Sequence, residues 1–462
     1  MKVMPPTVGP ILGATACYSA RIFVRGAEEI SAGKLRRVHG VLRMRNASEP
    51  DGARPNRFFK LNPNFDLTGV AVVEGLSANT TYSYQVGWIF SDLDSAQLDL
   101  EAALEWEGLF EYSFTTPPDD QRERSFVFGS CRYLLRLFGG TVFDSRGDKT
   151  FRTILQQLEA GRQTDALLMV GDQIYADDLN FLHADTSVDQ FYARYRDAFT
   201  SPQLRLLMSR VPTYMTLDDH EIEDNWPRSA DGADYARKFP AAIHAYQTYQ
   251  LSHSPIFPVK NGRLEGTLDA LWYTFRDGTA EFFMADTRTE RHLAGQHPQM
   301  IGTAQLEALK FWLSNGSGCV KFIASGVPPF AASGDDKWDG FIEQRDLILD
   351  FIQQAEIRRV VFLSGDVHAS FTSELGADTD PQFKVFSIVS SAFFWPYPHP
   401  MRGQFQESGP IKSNSKNSYR ILNRSSVVVT DNFTRVTANR ETLLVEVFTR
   451  KGDLADQTRH SF

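Results

Sequence analysis

The chain has 462 residues, 42% of them hydrophobic and 23% charged, and a formal charge of −9. That balance belongs to a soluble globular protein and excludes a disordered or membrane-embedded one, while the length predicts two or three domains, one of them large enough for a buried site. The acidic charge argues against a broad electropositive face, so no stable complex with nucleic acid is expected.

From Thr7 to about Pro118 the sequence reads as short β segments with polar turns: SARIFVRG, TGVAVVEGL, TTYSYQVGWIF and EYSFTTPP. Residues 1–118 are therefore expected to form a small all-β domain. The charged run DDQRER that follows has no large apolar residue and reads as a linker. From Ser125, apolar β runs alternate with helical stretches, which predicts an α/β layered fold over 119–462. SFVFGSC is a strand, FRTILQQLEAG a helix closed by Gly161, and ALLMVGDQ a buried strand. VDQFYARYRDAF and SPQLRLLMSR read as helices, VPTYMTLDDHE as a strand, and WYTFRDGTAEFFMADTR as a hairpin turning at Asp277 and Gly278. Helix TAQLEALKFWLSNG, strand CVKFIASG, helix GFIEQRDLILDFIQQ and strand RRVVFLSGDVH follow, then the late strands KVFSIVS, SVVVTDNF and TLLVEVFTR. The stretch 391–425, rich in Pro, Ser and Asn and carrying Phe393, Phe394, Trp395 and Tyr397, is read as a long connection and a candidate lid.

No stretch approaches the ~20 apolar residues that span a bilayer. The opening MKVMPPTVGPILGATACYSA holds no apolar run fit for a signal peptide and no twin arginine, so a cytoplasmic location is expected. Cys17, Cys131 and Cys319 are an odd, scattered set that suggests no disulfide framework and leaves Cys131 free for other work.

The chemistry-bearing residues fall just after strand ends. GSC places Cys131 there, GDQIY places Asp172 and Tyr175, DDHE places Asp219 and His220, MADTR places Asp286 and Arg288, and SGDVH places Asp366 and His368. In open α/β sheets the loops at the carboxyl ends of strands converge on one crevice. Each residue alone could simply cap a helix or close a turn. Several carboxylates in one crevice would repel one another, and multivalent cations remove that cost.

The amino-terminal segment GLSANTTYSYQV with FTTPP resembles the tyrosine-bearing strand and closing strand of fibronectin type III sandwiches. GSC, GDQIYADD, DDHEIEDNW, ADTR, KWDGF and SGDVHAS resemble, in order, the motif series of the alkaline phosphatase D family within the calcineurin-like metallophosphoesterases. The resemblance implies an α/β/β/α sandwich preceded by a fibronectin type III-like domain. It also implies a ferric iron with calcium ions and hydrolysis of small phosphomonoesters or phosphodiesters by attack of a metal-bound hydroxide. Members of that family are often exported. The implied ligands are Cys131, Asp172, Tyr175, Asp219, Asp366 and His368, with Asp172 bridging two ions. His220 is implied as proton donor to the leaving group, and the fork of Arg288 suits phosphate oxygens, although a structural pair with Asp286 fits it as well. Tyr175 suits iron, which is hard enough to bind a phenolate. Arg132 beside Cys131 is expected to lower the thiol pKa. Asp177 and Asp178 either add a calcium ligand or solvate a loop, while Trp226, Trp338 and Phe341 read as core or rim. Two other readings stay open: a zinc or manganese phosphodiesterase, and a catalytically quiet scaffold whose β domain binds a partner.

Overall fold

The computed structural model describes residues 1–462 except 32–33, 50–51, 53, 95–96, 99–102, 135, 138–141, 179–183 and 317. Among the described residues, no helix is long and apolar enough to cross a membrane.

The amino-terminal strands form two antiparallel sheets. One holds Val8–Ala16, Ser19–Arg25 and Thr68–Glu74; the other holds Arg57–Lys60, Val38–Asn46, Thr81–Phe90 and Tyr112–Thr115. Leu12, Ile22 and Val24 from the first pack against Val38, Leu42, Val86 and Trp88 from the second. Tyr82, from the tyrosine-bearing strand, accepts the Ser77 backbone N–H on its hydroxyl at 2.9 Å. All four segments read from the sequence are strands, and Val8–Ala16, Val38–Asn46 and Arg57–Lys60 join them.

The rest of the chain is an α/β/β/α sandwich. Its first sheet runs Thr213–Thr216, Ala166–Val170, Arg124–Arg132, Asn432–Ala438, Thr442–Thr449, Leu454–Ser461, with Ser391–Phe394 pairing at the end of Arg124–Arg132. The second runs Tyr273–Asp277, Ala280–Met284, Val320–Ser325, Val360–Ser364, Asp380–Val389, Phe371–Ala377, Tyr419–Arg424, Gly409–Pro410. Alternation along the strands builds the layers. Phe282, Phe322, Val361 and Phe386 face the first sheet, whereas their neighbours Phe283, Ile323, Phe362 and Val385 face the outer helices Thr303–Ser314 and Ile342–Gln354. Phe126 joins the two sheets, with its ring 5.2 Å from Phe282 and 5.1 Å from Phe322 in edge-to-face contacts. Helices Arg146–Glu159, Val188–Phe199 and Pro202–Met208 supply the other outer layer.

Three features depart from the sequence reading. SVVVTDNF is not a strand, because the pairing with Arg124–Arg132 begins only near Thr434 in the strand Asn432–Ala438, and of the preceding residues Val428 alone makes a bridge, to Ser370. The stretch 391–425 is not one long connection, since it opens with the strand Ser391–Phe394 and ends in Tyr419–Arg424. A helix, Phe239–Tyr246, flanked by π-helical turns, went unread; Pro240, which argues against a helix in most contexts, sits where the π-helical turn Asp234–Lys238 hands over to it.

Candidate metal centre

Strands Arg124–Arg132, Ala166–Val170 and Thr213–Thr216 run parallel, as do Ala280–Met284, Val320–Ser325 and Val360–Ser364 in the facing sheet. Their carboxyl ends open on the same side and carry the expected side chains. Close approach of these ends depends on glycine: a Cβ on Gly171 would strike Asp218, and one on Gly365 would strike Ser130. Cys131, Asp172, Asp366 and His368 all hold left-handed backbone, with φ of 54°, 57°, 69° and 51°. Such conformations cost non-glycine residues about 1 kcal/mol or more each and cluster where geometry serves function.

Glu221 fastens two of the loops together. Its buried carboxylate accepts the backbone N–H groups of Asp172 (2.9 Å), Gln173 (2.7 Å) and Asp218 (2.9 Å) and the Gln250 amide at 3.0 Å. The acidic residue of DDHE is thus a clamp between loops.

The donors line up in a row. Cys131 Sγ donates to Asp172 Oδ2 at 3.2 Å, and the other Asp172 oxygen accepts from the His220 backbone N–H at 3.4 Å. Asp172, Asp219 and His220 offer donor atoms all within 4.8 Å of one another; Asp218, Asp219 and Asp366 do the same, so Asp219 joins both groups. The Tyr175 hydroxyl is buried beside Cys131 and makes no well-formed hydrogen bond, and Asp218 Oδ2 and Asp219 Oδ1 likewise lack one. A cluster of hard oxygen donors with unspent lone pairs, flanked by a thiol and a phenol, fits multivalent cations.

The protonation pattern shows the same need. Burial, then the nearby Asp219, pushes Asp172 well above the ordinary carboxylate range. Burial pushes Asp218 up to about 7 despite Arg288, with Asp219 adding to the rise. Asp366 is also raised, by burial against the opposing pull of Lys337. Asp219 is depressed instead, because Arg288 and His220 outweigh its burial, and Asp336 is lowered by Arg288 and Arg291 in the same way. Burial raises the Cys131 thiol well above its usual value, followed by Asp172, and burial with Cys131 beside it raises Tyr175. The expected help from Arg132 is absent: its guanidinium donates to Ala198 O at 2.7 Å and to Ser201 Oγ at 2.5 Å, on the far side of the strand. Adjacent residues of a strand point to opposite faces, which is why it cannot reach the thiol.

His220 packs against Tyr175, ring centres 4.2 Å apart and tilted by 32°, and its Nδ1 lies 3.0 Å from Asp177 Oδ1. Burial opposes its charge, yet Asp219 and the Asp177 hydrogen bond raise its pKa well above the usual value. Arg288 is fully buried, its Nε 2.5 Å from Asp218 Oδ1 and its NH1 2.8 Å from Asp336 Oδ1. Its third nitrogen faces Asp219 at 3.5 Å and Asp366 at 4.0 Å. Asp286 is not its ion-pair partner; that carboxylate accepts from Thr289 and from the backbone N–H of Arg288. Asp178 accepts from the Tyr133 hydroxyl at 3.0 Å. Trp226, Trp338 and Phe341 are buried in the cores.

Sequence reasoning missed Asp218, Asp336, Lys337 and Trp395. Lys337, from KWDGF, sits 2.5 Å from Asp366 Oδ2 at the rim, and Trp395 stacks on His368 with ring centres 3.7 Å apart. Asp218 stood in plain view as the first residue of DDHE and Lys337 as the first of KWDGF; Asp336 and Trp395 have no local signal. The large cleft of about 1200 Å³ lies elsewhere, between strands Arg57–Lys60 and Thr68–Glu74 and residues 247–268, and none of the donors above lines it.

A model of the PhoD-like phosphatase family matches residues 135–438. The alkaline phosphatase D of Bacillus subtilis (strain 168) is 26% identical over 226 residues, covering 40% of this chain and 36% of that protein, so the match spans about a third of the relative's length. A solved structure of PhoD superposes with a TM-score of 0.69 at 16% identity, covering 99% of this chain and 89% of the other. A purple acid phosphatase from yellow lupin (Lupinus luteus) seeds gives a TM-score of 0.60 at 15% identity, covering 98% and 74%. Those likenesses concern the fold. With the family match extending over well more than half of its residues, the chain belongs to the PhoD-like phosphatase family.

Proposed function

We propose that this protein is a metal-dependent phosphoesterase acting on small phosphomonoesters or phosphodiesters, with Cys131, Asp172, Tyr175, Asp219, Asp366 and His368 as its metal ligands. The observation that carries this reading is the pair of donor groups sharing Asp219, buried and short of hydrogen bonds. Cys131, Tyr175 and one Asp172 oxygen suit a ferric ion; the oxygens of Asp219 and Asp366 suit calcium, whereas the His368 imidazole is a donor that iron or zinc prefers, and Asp172 also lies within reach of Asp219. Bound cations supply activation of water and neutralisation of phosphate oxygens.

The chain's own residues do the remainder. His220 keeps its proton because Asp177 holds Nδ1, and its Nε2 is the atom that hands a proton to the departing oxygen. Arg288, buried under the carboxylates with Asp218 and Asp336 on its nitrogens, acts as a fixed countercharge to the ligands and not as a clamp on substrate. Lys337, less enclosed and already on Asp366, balances the same charge from the rim. An acidic protein thereby gains a local affinity for phosphate that its net charge denies it. The boundary near residue 118, between a β domain and the catalytic domain, belongs to the same proposal.

The test strips the purified protein with a strong chelator and assays 4-nitrophenyl phosphate and bis(4-nitrophenyl) phosphate. Loss of both activities and their return with iron plus calcium is expected. Return with zinc or manganese alone selects the alternative metal set, and full activity after stripping contradicts metal dependence.

A further inference from the structure

His368 holds left-handed backbone and needs something to keep it there. One short segment supplies three grips. Ser391 Oγ accepts the His368 backbone N–H at 3.0 Å, the Trp395 ring stacks on the imidazole at 3.7 Å and 26°, and His399 Nδ1 donates to the His368 carbonyl at 2.9 Å. These residues recur every four positions.

The grips are themselves anchored in the first sheet. Ser391 O accepts from Asn432 Nδ2 at 3.0 Å, and Ser391 N donates to Ser370 Oγ at 3.0 Å. Asp431, at the foot of the strand Asn432–Ala438, accepts the Trp395 backbone N–H at 2.9 Å, lies 3.6 Å from His399 Nε2, and pairs with Arg450 at 3.2 Å. Tyr133 and Tyr397 set their edges against Trp395, with centres 6.0 and 5.1 Å away. A ring packed this way has little freedom to tilt, and it fixes the plane of the imidazole it covers. Ligating imidazoles depend on such outer partners for their orientation.

We infer that residues 391–399 are a clasp that fixes the His368 imidazole for metal coordination, with Trp395 as the positioning residue. This rests on the reading of His368 as a ligand. The flat indole face sets the ring plane, while Ser391 and His399 pin the backbone on either side of it. The stretch expected as a lid over the substrate acts here on the metal site.

The experiment measures metal retained per chain against a competing chelator for wild type, Trp395→Ala, Trp395→Phe and His368→Ala, together with the melting temperature of each metal-free protein. His368→Ala and Trp395→Ala are expected to lose one class of ion, the latter with an affinity lowered ~10-fold or more. Trp395→Phe, which keeps a flat ring, restores most of it, and the metal-free melting temperatures stay close. Metal loss in His368→Ala with wild-type retention in Trp395→Ala overturns the clasp. Undiminished retention in His368→Ala overturns the ligand reading beneath it. Should Trp395→Ala not fold, Trp395→Leu, bulky but without a flat face, decides by the same criteria.

Discussion

His220 Nδ1 lies 3.0 Å from a carboxylate oxygen of Asp177, a residue closed to solvent that also accepts the Asp224 backbone N–H at 3.0 Å. An imidazole held this way, with its other nitrogen 3.9 Å from Asp224 Oδ1, stays protonated. His220→Asn is therefore expected to keep its metals while turnover falls ~100-fold, the usual scale for a positioned acid. Esters of poor alcohol leaving groups should lose most and nitrophenyl esters least. Steady-state kinetics on both, beside metal content, checks it; loss of metal would make His220 a ligand.

Asp177→Asn addresses the same couple through pH. The Asp177 hydrogen bond helps raise the His220 pKa, so activity that needs the protonated ring falls as pH rises through that value. Removing the carboxylate lowers the pKa, and the alkaline limb of kcat should move to lower pH. A pH profile of the variant with an unmoved limb would detach the couple from catalysis.

Tyr175 and Cys131 give an optical signal. Phenolate-to-iron charge transfer should produce a visible band with a thiolate contribution, and Tyr175→Phe should bleach or shift it. An unchanged spectrum at full iron occupancy removes Tyr175 from the ligands.

Arg288 is wholly buried between Asp218 and Asp336. Arg288→Met leaves Asp218 without its countercharge, while Asp336 keeps Arg291 at 2.6 Å, and should cost about 3–5 kcal/mol in chemical denaturation. Added cations should recover part of that, since an ion bound only by the folded state stabilises it.

The buried carboxylates of the metal-free protein should draw its stability down as pH rises from about 4 to 7. Asp218, pushed up to about 7, and the raised Asp172 and Asp366 bind more protons folded than unfolded, so the folded state loses ground across that window. Asp219, depressed, and His220, raised, contribute nothing opposing there, but His368 and His253, held by burial at about 3 and about 4, do oppose by favouring the folded state as pH rises towards 6.5, so the carboxylate part is read as the difference between wild type and Asp218→Asn. Cations should flatten the curve. Melting temperatures across pH, with and without metal, measure the difference.

Much of this centre was legible because the chain writes it locally. GDQIY and SGDVH follow apolar strands, and the loops after such strands meet in one crevice. Asp277 and Gly278 likewise announced their hairpin, which pairs Asp277 with Ala280. What escaped was long-range or masked. Arg288 meets Asp218 across 70 positions and Lys337 meets Asp366 across 29, and neither partner carries a sign of the other. The failed role of Arg132 was readable, because a strand sends consecutive side chains to opposite faces. Trp395 sat in a stretch whose prolines and serines resemble a loop, and its hold on His368 depends on a strand that pairs with residues 130–132.

The most direct test of the account is elemental analysis of protein purified without chelator, set beside the Asp219→Asn variant, because Asp219 joins both donor groups. The account predicts iron and calcium at stoichiometric levels in the wild type and loss of bound metal with loss of hydrolysis in the variant. Wild-type protein that hydrolyses phosphate esters with no stoichiometric metal, or an Asp219→Asn variant that keeps its full metal complement, would contradict it.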